Sequence, residues 1–221
     1  MNLARECEPE LMDGLEQALA YAEADFSASD AALVEWIAST FPEGLGDWII
    51  DLGCGPGNIS YRLADRWPEA RILGIDGAGA MLDLARLRHQ QHARADQLSF
   101  EQHLLPCPEL KASASALVSN SLLHHLHDPQ VLWQSLQRLG RPNAAVVIHD
   151  LRRPHSEAEL QQLVQLHAAA AAPLLRRDYT ASLRAAFQPD EIAEQLQQAG
   201  LTGLQVQPRD DRYITVWGRL P

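Results

Sequence analysis

The segment Trp48-Ile49-Ile50-Asp51-Leu52-Gly53-Cys54-Gly55-Pro56-Gly57-Asn58 constrains this chain more than any other. An apolar burst ends in an acid and three alternating glycines, and the amphipathic stretch Ile59 to Trp67 follows; that order predicts a buried strand, a tight turn and a helix. Without a Cβ, Gly53, Gly55 and Gly57 are free to take positive φ and to let a ligand lie against the backbone at the positive end of the helix. The segment therefore predicts a nucleotide site.

The glycine spacing narrows the nucleotide. A dinucleotide-binding turn reads Gly-x-Gly-x-x-Gly and holds a pyrophosphate at the helix start. Here the third glycine comes one residue early, and Asp51 would repel a pyrophosphate and attract a cation. A second apolar run, Arg71-Ile72-Leu73-Gly74-Ile75-Asp76, also ends in an acid, at the distance that one βαβ unit requires. A carboxylate there can accept two hydrogen bonds from a ribose diol. Taken alone, Asp76 reads equally well as the cap of a helix over Gly79 to His89.

With Asp51, Gly53, Gly55 and Gly57 in place, the turn resembles motif I of the class I S-adenosylmethionine-dependent methyltransferases. The resemblance implies that the loop, Cys54 included, wraps the amino acid end of the sulfonium cofactor. It also implies that Asp76 holds the ribose and that Gly77, Ala78 and Met81 border the adenine. Many members place an acid after the third strand, against the adenine amine; Phe100-Glu101-Gln102-His103-Leu104 offers His103 and Leu104 instead, which leaves that contact open. Tyr21, in Tyr21-Ala22-Glu23-Ala24-Asp25-Phe26-Ser27, is expected in the core or against the cofactor.

Further strands are expected at Leu98 to Gln102, Ala116 to Ser119, Ala144 to Ile148, Leu204 to Val206 and Tyr213 to Trp217, with helices at Pro129 to Leu139 and Pro189 to Ala199. Such alternation, with continuous apolar strands, predicts a parallel sheet covered on both faces. The polar turn Pro208 to Asp211 is too short for a crossover, so the last strand should run antiparallel. The expected fold is thus α/β and Rossmann-like, a doubly wound seven-stranded sheet that again resembles the methyltransferases.

One domain of 221 residues is expected, with an ample core from 46% hydrophobic residues. Residues 1–44 read as a helical cover, 45–150 as the cofactor-binding core, 151–188 as an insertion and 189–221 as a closing helix and hairpin. Within the insertion, Ser156 with Glu159 three residues on predicts a capped helix running to Ala172. In the resembled family, insertions at this position lid the acceptor pocket.

Three scattered cysteines, Cys7, Cys54 and Cys107, indicate neither a disulfide framework nor a zinc site. No apolar run has membrane length and Met1 to Glu6 lack a signal-peptide pattern, so a cytoplasmic chain is expected. A net charge of −11 with one lysine, Lys111, argues against a nucleic-acid partner.

Ligands in open α/β sheets bind at the carboxyl ends of the strands. The fourth strand ends in Ser119-Asn120-Ser121-Leu122-Leu123-His124-His125-Leu126-His127-Asp128-Pro129, which resembles the Leu-His-His loop of small-molecule methyltransferases. By the same resemblance, Asn120 lies in the cofactor region. His124 and His125 are the candidate catalytic residues, each a general base or a scaffold. Adjacent side chains should diverge, so one imidazole alone is expected to reach the pocket and no metal site is expected. His149, at the tip of the fifth strand, is placed to meet the acceptor. Arg152, Arg153, Arg176 and Arg177, at the two ends of the insertion, are candidates for holding an anionic acceptor. These readings favour S-adenosylmethionine-dependent methyl transfer to a small molecule. Non-catalytic cofactor binding and a nicotinamide-dependent oxidoreductase are the alternatives; no reading sets the oligomeric state.

Overall fold

The computed structural model describes residues 3–221. Trp48–Leu52 forms the first strand, β1, and the glycine turn leads into helix α3 (Asn58–Arg66), which α1 (Leu15–Glu23) and α2 (Ser27–Thr40) precede. The remaining elements are β2 (Arg71–Asp76), α4 (Gly79–His89), β3 (Leu98–Gln102), β4 (Ala114–Asn120), α5 (Gln130–Leu139), β5 (Gly140–Leu151), α6 (Glu157–Ala168), α7 (Pro173–Ala185), α8 (Pro189–Gln198), β6 (Gln205–Pro208) and β7 (Tyr213–Arg219). They build a seven-stranded sheet of order β3-β2-β1-β4-β5-β7-β6. The first five strands are parallel, and β7 runs antiparallel to both β5 and β6.

The apolar strands are continuous because helices cover both faces. Side chains alternate along a strand, so Ile50, Leu117 and Val146 pack with Trp133, Leu136 and Ile192 of α5 and α8. Their neighbours Ile49, Val118 and Val147 pack with Ile37 and Leu63 of α2 and α3 on the opposite face. Chain order reverses between β1 and β4, whose carboxyl ends form the switch point at which such folds open a crevice.

Three local expectations need correction. The expected cover over residues 1–44 begins outside the described residues; within them, residues 3–14 have no regular secondary structure and the first helix begins at Leu15. This stretch is tied down as a strap: Leu3 N donates to His155 O and Glu6 N to Arg184 O, while the Arg5 guanidinium donates to Ala185, His124 and Leu126 carbonyls. The helix expected through Ala172 stops at Ala168, where Arg176 Nε donates to the Ala168 carbonyl and Arg176 Nη2 to the Ala169 carbonyl. A further helix, α7, follows from Pro173, a residue suited to the first helical turn because its missing N–H needs no partner there. Among the described residues no helix is long and apolar enough to cross a membrane.

Candidate functional site

A cavity of about 710 Å³ lies over the carboxyl ends of β1, β2, β4 and β5. That size suits a small-molecule or cofactor site. Its floor is the glycine turn. Gly53, Gly55 and Gly57 have φ of +67°, +52° and +82°, a region that side-chain-bearing residues rarely adopt. A Cβ added to Gly55 would meet nothing within 4 Å, so this backbone faces open cavity. Gly57 behaves differently from expectation. A Cβ there would strike Tyr61 and Phe100, and the residue does not line the cavity; it serves the packing of α3.

Asp76, at the end of β2, accepts from Gly55 N through Oδ2 at 2.8 Å and from Ala78 N through Oδ1 at 2.8 Å. It thus fastens the turn and the start of α4 at once. A carboxylate offers about four acceptor positions, so each oxygen keeps a lone pair for a ligand. Burial raises its pKa against the pull of these amides. Asp51 is buried, accepts from Ser60 Oγ at 2.6 Å, and is pushed up to about 7 by burial. Cys54, Gly77, Ala78 and Met81 also line the cavity, as do Asn120, Tyr21 and Leu104. Tyr21 packs with Ala18, Ala78 and Met81, so it lies both in a small core and on the wall. His103 lines the wall with both ring nitrogens engaged, Nδ1 with Glu109 at 2.7 Å and Nε2 with Glu101 at 3.0 Å. Hydrogen bonding to these acids raises its pKa.

The two adjacent histidines do not diverge. Leu123–His125 form a single tight 3₁₀ turn, and the two rings lie 4.3 Å apart, tilted by 34°. Both line the cavity, contrary to the expectation that one alone would reach it. His124 Nδ1 meets Asp150 Oδ1 at 2.5 Å, and Asp150 also accepts from Leu123 N at 2.6 Å and Leu151 N at 2.7 Å. Burial opposes charge on His124, but Asp150 outweighs it and the imidazole pKa is raised. Glu8 of the strap comes within 3.5 Å of His124 Nε2 and 3.4 Å of His125 Nδ1. Burial and the adjacent His124 push His125 down to about 3, and burial pushes His149 down to about 4. His149 lines the cavity, its Nδ1 2.8 Å from Thr215 Oγ1.

The expected arginine cluster does not form at the site. Arg152 donates to the carbonyls of Asp210 and Asp211, and Arg153 is buried against Glu191, Leu3 and Ala186. Arg177 is exposed and paired with Asp178 at 2.8 Å, while Arg176 closes the end of α6. None of the four lines the cavity. Among the wall residues that went unrecognised in the sequence are Asp30, Asp178, Tyr179 and Arg212. Asp30 is buried and pushed up to about 6 by burial. For Tyr179 a signal existed, since Leu175, Tyr179 and Leu183 follow helical spacing. Arg212 had none, because its position depends on how β7 pairs with β5.

Over 100 residues the chain is 33% identical to a trans-aconitate 2-methyltransferase of Azoarcus sp. (strain BH72), covering 45% of this chain and 37% of that protein. It is 30% identical over 117 residues to a malonyl-[acyl-carrier protein] O-methyltransferase of Hahella chejuensis, covering 53% and 41%. The chain thus spans about two fifths of the length of these two curated relatives. A ubiquinone biosynthesis O-methyltransferase of Acinetobacter baylyi is 26% identical over 81% of this chain and 76% of that protein. In three dimensions, a SAM-dependent methyltransferase from Aquifex aeolicus superposes with a TM-score of 0.66 at 15% identity over 92% of this chain and 98% of that one. The plantazolicin methyltransferase BamL, in complex with a triazolic desmethylPZN analog and SAH, gives 0.68 at 16% identity over 87% and 71%. A family model described as a methyltransferase domain matches residues 46–200, most of the chain, and the protein belongs to that family.

Proposed function

We propose that this chain binds S-adenosylmethionine in the cavity and catalyses methyl transfer to a small-molecule acceptor. The observation that carries the reading is the open face of Gly55 beside Asp76: a turn held at positive φ, with empty space where a Cβ would stand and a carboxylate in reach. The residues present fit the cofactor. Gly53, Cys54 and Gly55 would hold its amino acid end, Asp76 its ribose, and Gly77, Ala78, Met81 and Leu104 its adenine, with Tyr21 and Asn120 on the flanks. When bound, S-adenosylmethionine supplies a methyl whose bond to sulfur breaks, the electron pair going to sulfur, as the acceptor's bond to carbon forms.

The chain's own task is then to orient the acceptor and exclude water. His125, at about 3, is too weak a base to take a proton near neutrality, and His124 has its Nδ1 engaged by Asp150, which favours the charged imidazolium. Both histidines are therefore assigned to positioning, with His149 facing the acceptor. The net charge of −11 and a wall carrying seven acids, among them Asp30, Asp51, Asp76 and Asp178, support a small acceptor over a nucleic acid. The free cysteines Cys7, Cys54 and Cys107 support a reducing, cytoplasmic setting. The names of the three curated relatives support a small-molecule acceptor in turn. Incubation with methyl-labelled S-adenosylmethionine and fractionated cell metabolites tests the reading. Label is expected in a small product; cofactor binding without transfer to any fraction would leave a binding protein, and no cofactor binding would refute the proposal.

A further inference from the structure

The cavity wall is acidic along most of its length, with Glu10, Asp25, Asp30, Asp51, Asp76, Asp128 and Asp178 facing it. Among the described lining residues, Arg212 is the sole arginine or lysine. It precedes β7, which stands three places from β1 and its glycine turn in the sheet, and neighbours Tyr213, which pairs with Leu151 at the tip of β5. There the His149 ring stacks on Tyr213 with centroids 4.6 Å apart, and the Arg212 guanidinium sits 4.8 Å from the same tyrosine ring. The backbone is fixed as well. Arg152 N donates to Arg212 O at 2.7 Å, and Asp210 Oδ1 accepts from Arg212 N at 2.9 Å and Tyr213 N at 2.7 Å.

Every acid near this arginine is engaged elsewhere. Asp210 is taken up by its own turn, and Asp211 Oδ2 meets His167 Nε2 at 2.7 Å. Asp178 is shared between Arg177 at 2.8 Å and Gln17 at 2.8 Å. Among the described residues the Arg212 guanidinium makes no ion pair, although Arg153 and Arg177 each make one and Arg184 makes two. Its Nε and the Tyr179 hydroxyl are both buried with no partner in hydrogen-bonding geometry, although the two side chains lie close enough to act on each other. Buried donors are rarely left unpaired, and these two differ from the unpaired Arg152 Nε and Trp217 Nε1 in belonging to side chains that line the cavity. A guanidinium and a phenol hydroxyl on one wall, with free donors and no counter-ion, suit a planar anion that accepts more than one hydrogen bond.

We propose that Arg212 and Tyr179 form an anion-recognition subsite and that the methyl acceptor carries a carboxylate held there. The inference rests on the methyltransferase reading and adds the acceptor's chemical class. In a chain of net charge −11 such a subsite also sets polarity. The acids near the glycine turn favour the cationic cofactor and repel the acceptor's anion, so the acceptor enters with its carboxylate toward β7.

The test splits cell metabolites on an anion-exchange resin at neutral pH and assays each pool for transfer of labelled methyl from S-adenosylmethionine. The acceptor is expected in the retained pool, and coupling that pool to methylamine with a carbodiimide should abolish its activity. Arg212→Gln should raise the acceptor KM at least about tenfold, as expected for loss of a charge-assisted bidentate contact, while S-adenosylhomocysteine affinity stays within about twofold. Arg212→Lys should recover part of the loss, and added salt should raise KM in the wild type more than in Arg212→Gln. An acceptor in the unretained pool, one that survives carbodiimide coupling, or an unchanged KM in Arg212→Gln would overturn the subsite while transfer itself persists. Failure of S-adenosylhomocysteine to bind, or transfer to neither pool, would instead overturn the methyltransferase reading and the subsite with it.

Discussion

Asp76 spends one lone pair of each oxygen on the backbone that shapes the turn and is left with one more on each to offer a ribose. Asp76→Ala is therefore expected to weaken S-adenosylmethionine binding by about 1.5–3 kcal/mol, the worth of hydrogen bonds to a charged acceptor, with the chain still folded; calorimetric titration and circular dichroism measure the two parts. Gly55→Val places a branched side chain in the space the ligand needs and at a φ of +52°. Cofactor binding should vanish, and a folded variant that still binds would mean that the glycine serves the turn alone. Asp51 makes binding depend on pH. At about 7 it is half protonated in the free protein, and a cationic ligand prefers the carboxylate, so binding releases a proton. Affinity should rise about fivefold from pH 6 to pH 7, the ratio that a single group with pKa 7 dictates, and Asp51→Asn should flatten the profile. His125 and His149, at about 3 and 4, stay neutral over this range and add no slope, while Asp30, at about 6, completes its ionisation within it and leaves a smaller residual slope in Asp51→Asn. These three positions were legible because each stands in a short local pattern, Asp51 and Gly55 in the glycine turn and Asp76 at the end of the apolar run that follows it. Arg212 was not: it reaches the cavity through the pairing of Tyr213 with Leu151, 62 residues apart in the chain, a long-range register that no short motif encodes.

Among the elements, the 3₁₀ turn after β4 and the end of β5 act as one unit, joined by Asp150. Asp150 satisfies two backbone N–H groups and holds the buried His124. Its own pKa is lowered: burial opposes ionisation but His124 prevails. The sign of the linkage follows from both shifts. Stability from His124, whose pKa is raised, is full below its unfolded value and is lost as pH rises through its folded one; stability from Asp150 is present above its unfolded value and is lost as pH falls through its folded one. The pair is thus fully present between the ordinary carboxylate and imidazole pKa values, about 4 to about 6.5. Asp150→Ala leaves a buried imidazole and two amides unpaired and should cost about 3–5 kcal/mol in urea unfolding, whereas Asp150→Asn keeps an acceptor for Leu123 N and should cost less. Equal loss in both would show that charge matters little there. The Leu-His-His sequence marked this turn correctly, but the side-by-side rings depend on 3₁₀ geometry that sequence spacing does not specify. The Ala168 to Ala172 run misled for a related reason. Alanine favours helix locally, but the Arg176 side chain closes the helix from a turn away. The extended strap of residues 3–14 escaped notice because its partners, His155, Arg184 and the His124 turn, are distant in sequence.

At the scale of the whole molecule, the seven-stranded order and the antiparallel β7 were legible from strand and helix alternation and from the short polar turn before β7. Such patterns follow from burial, which is the same for any chain that covers a sheet on two faces. The ligand is set by the residues of the site and not by the fold, because one architecture hosts many activities. The central claim is that this fold presents a sulfonium-nucleotide site and not a dinucleotide site, and calorimetric titration with S-adenosylhomocysteine and NADH in parallel tests it most directly. The account predicts saturable one-to-one binding of S-adenosylhomocysteine, lost in Gly55→Val and weakened in Asp76→Ala, with no heat from NADH. Tighter binding of NADH, or S-adenosylhomocysteine binding that ignores both substitutions, would contradict it.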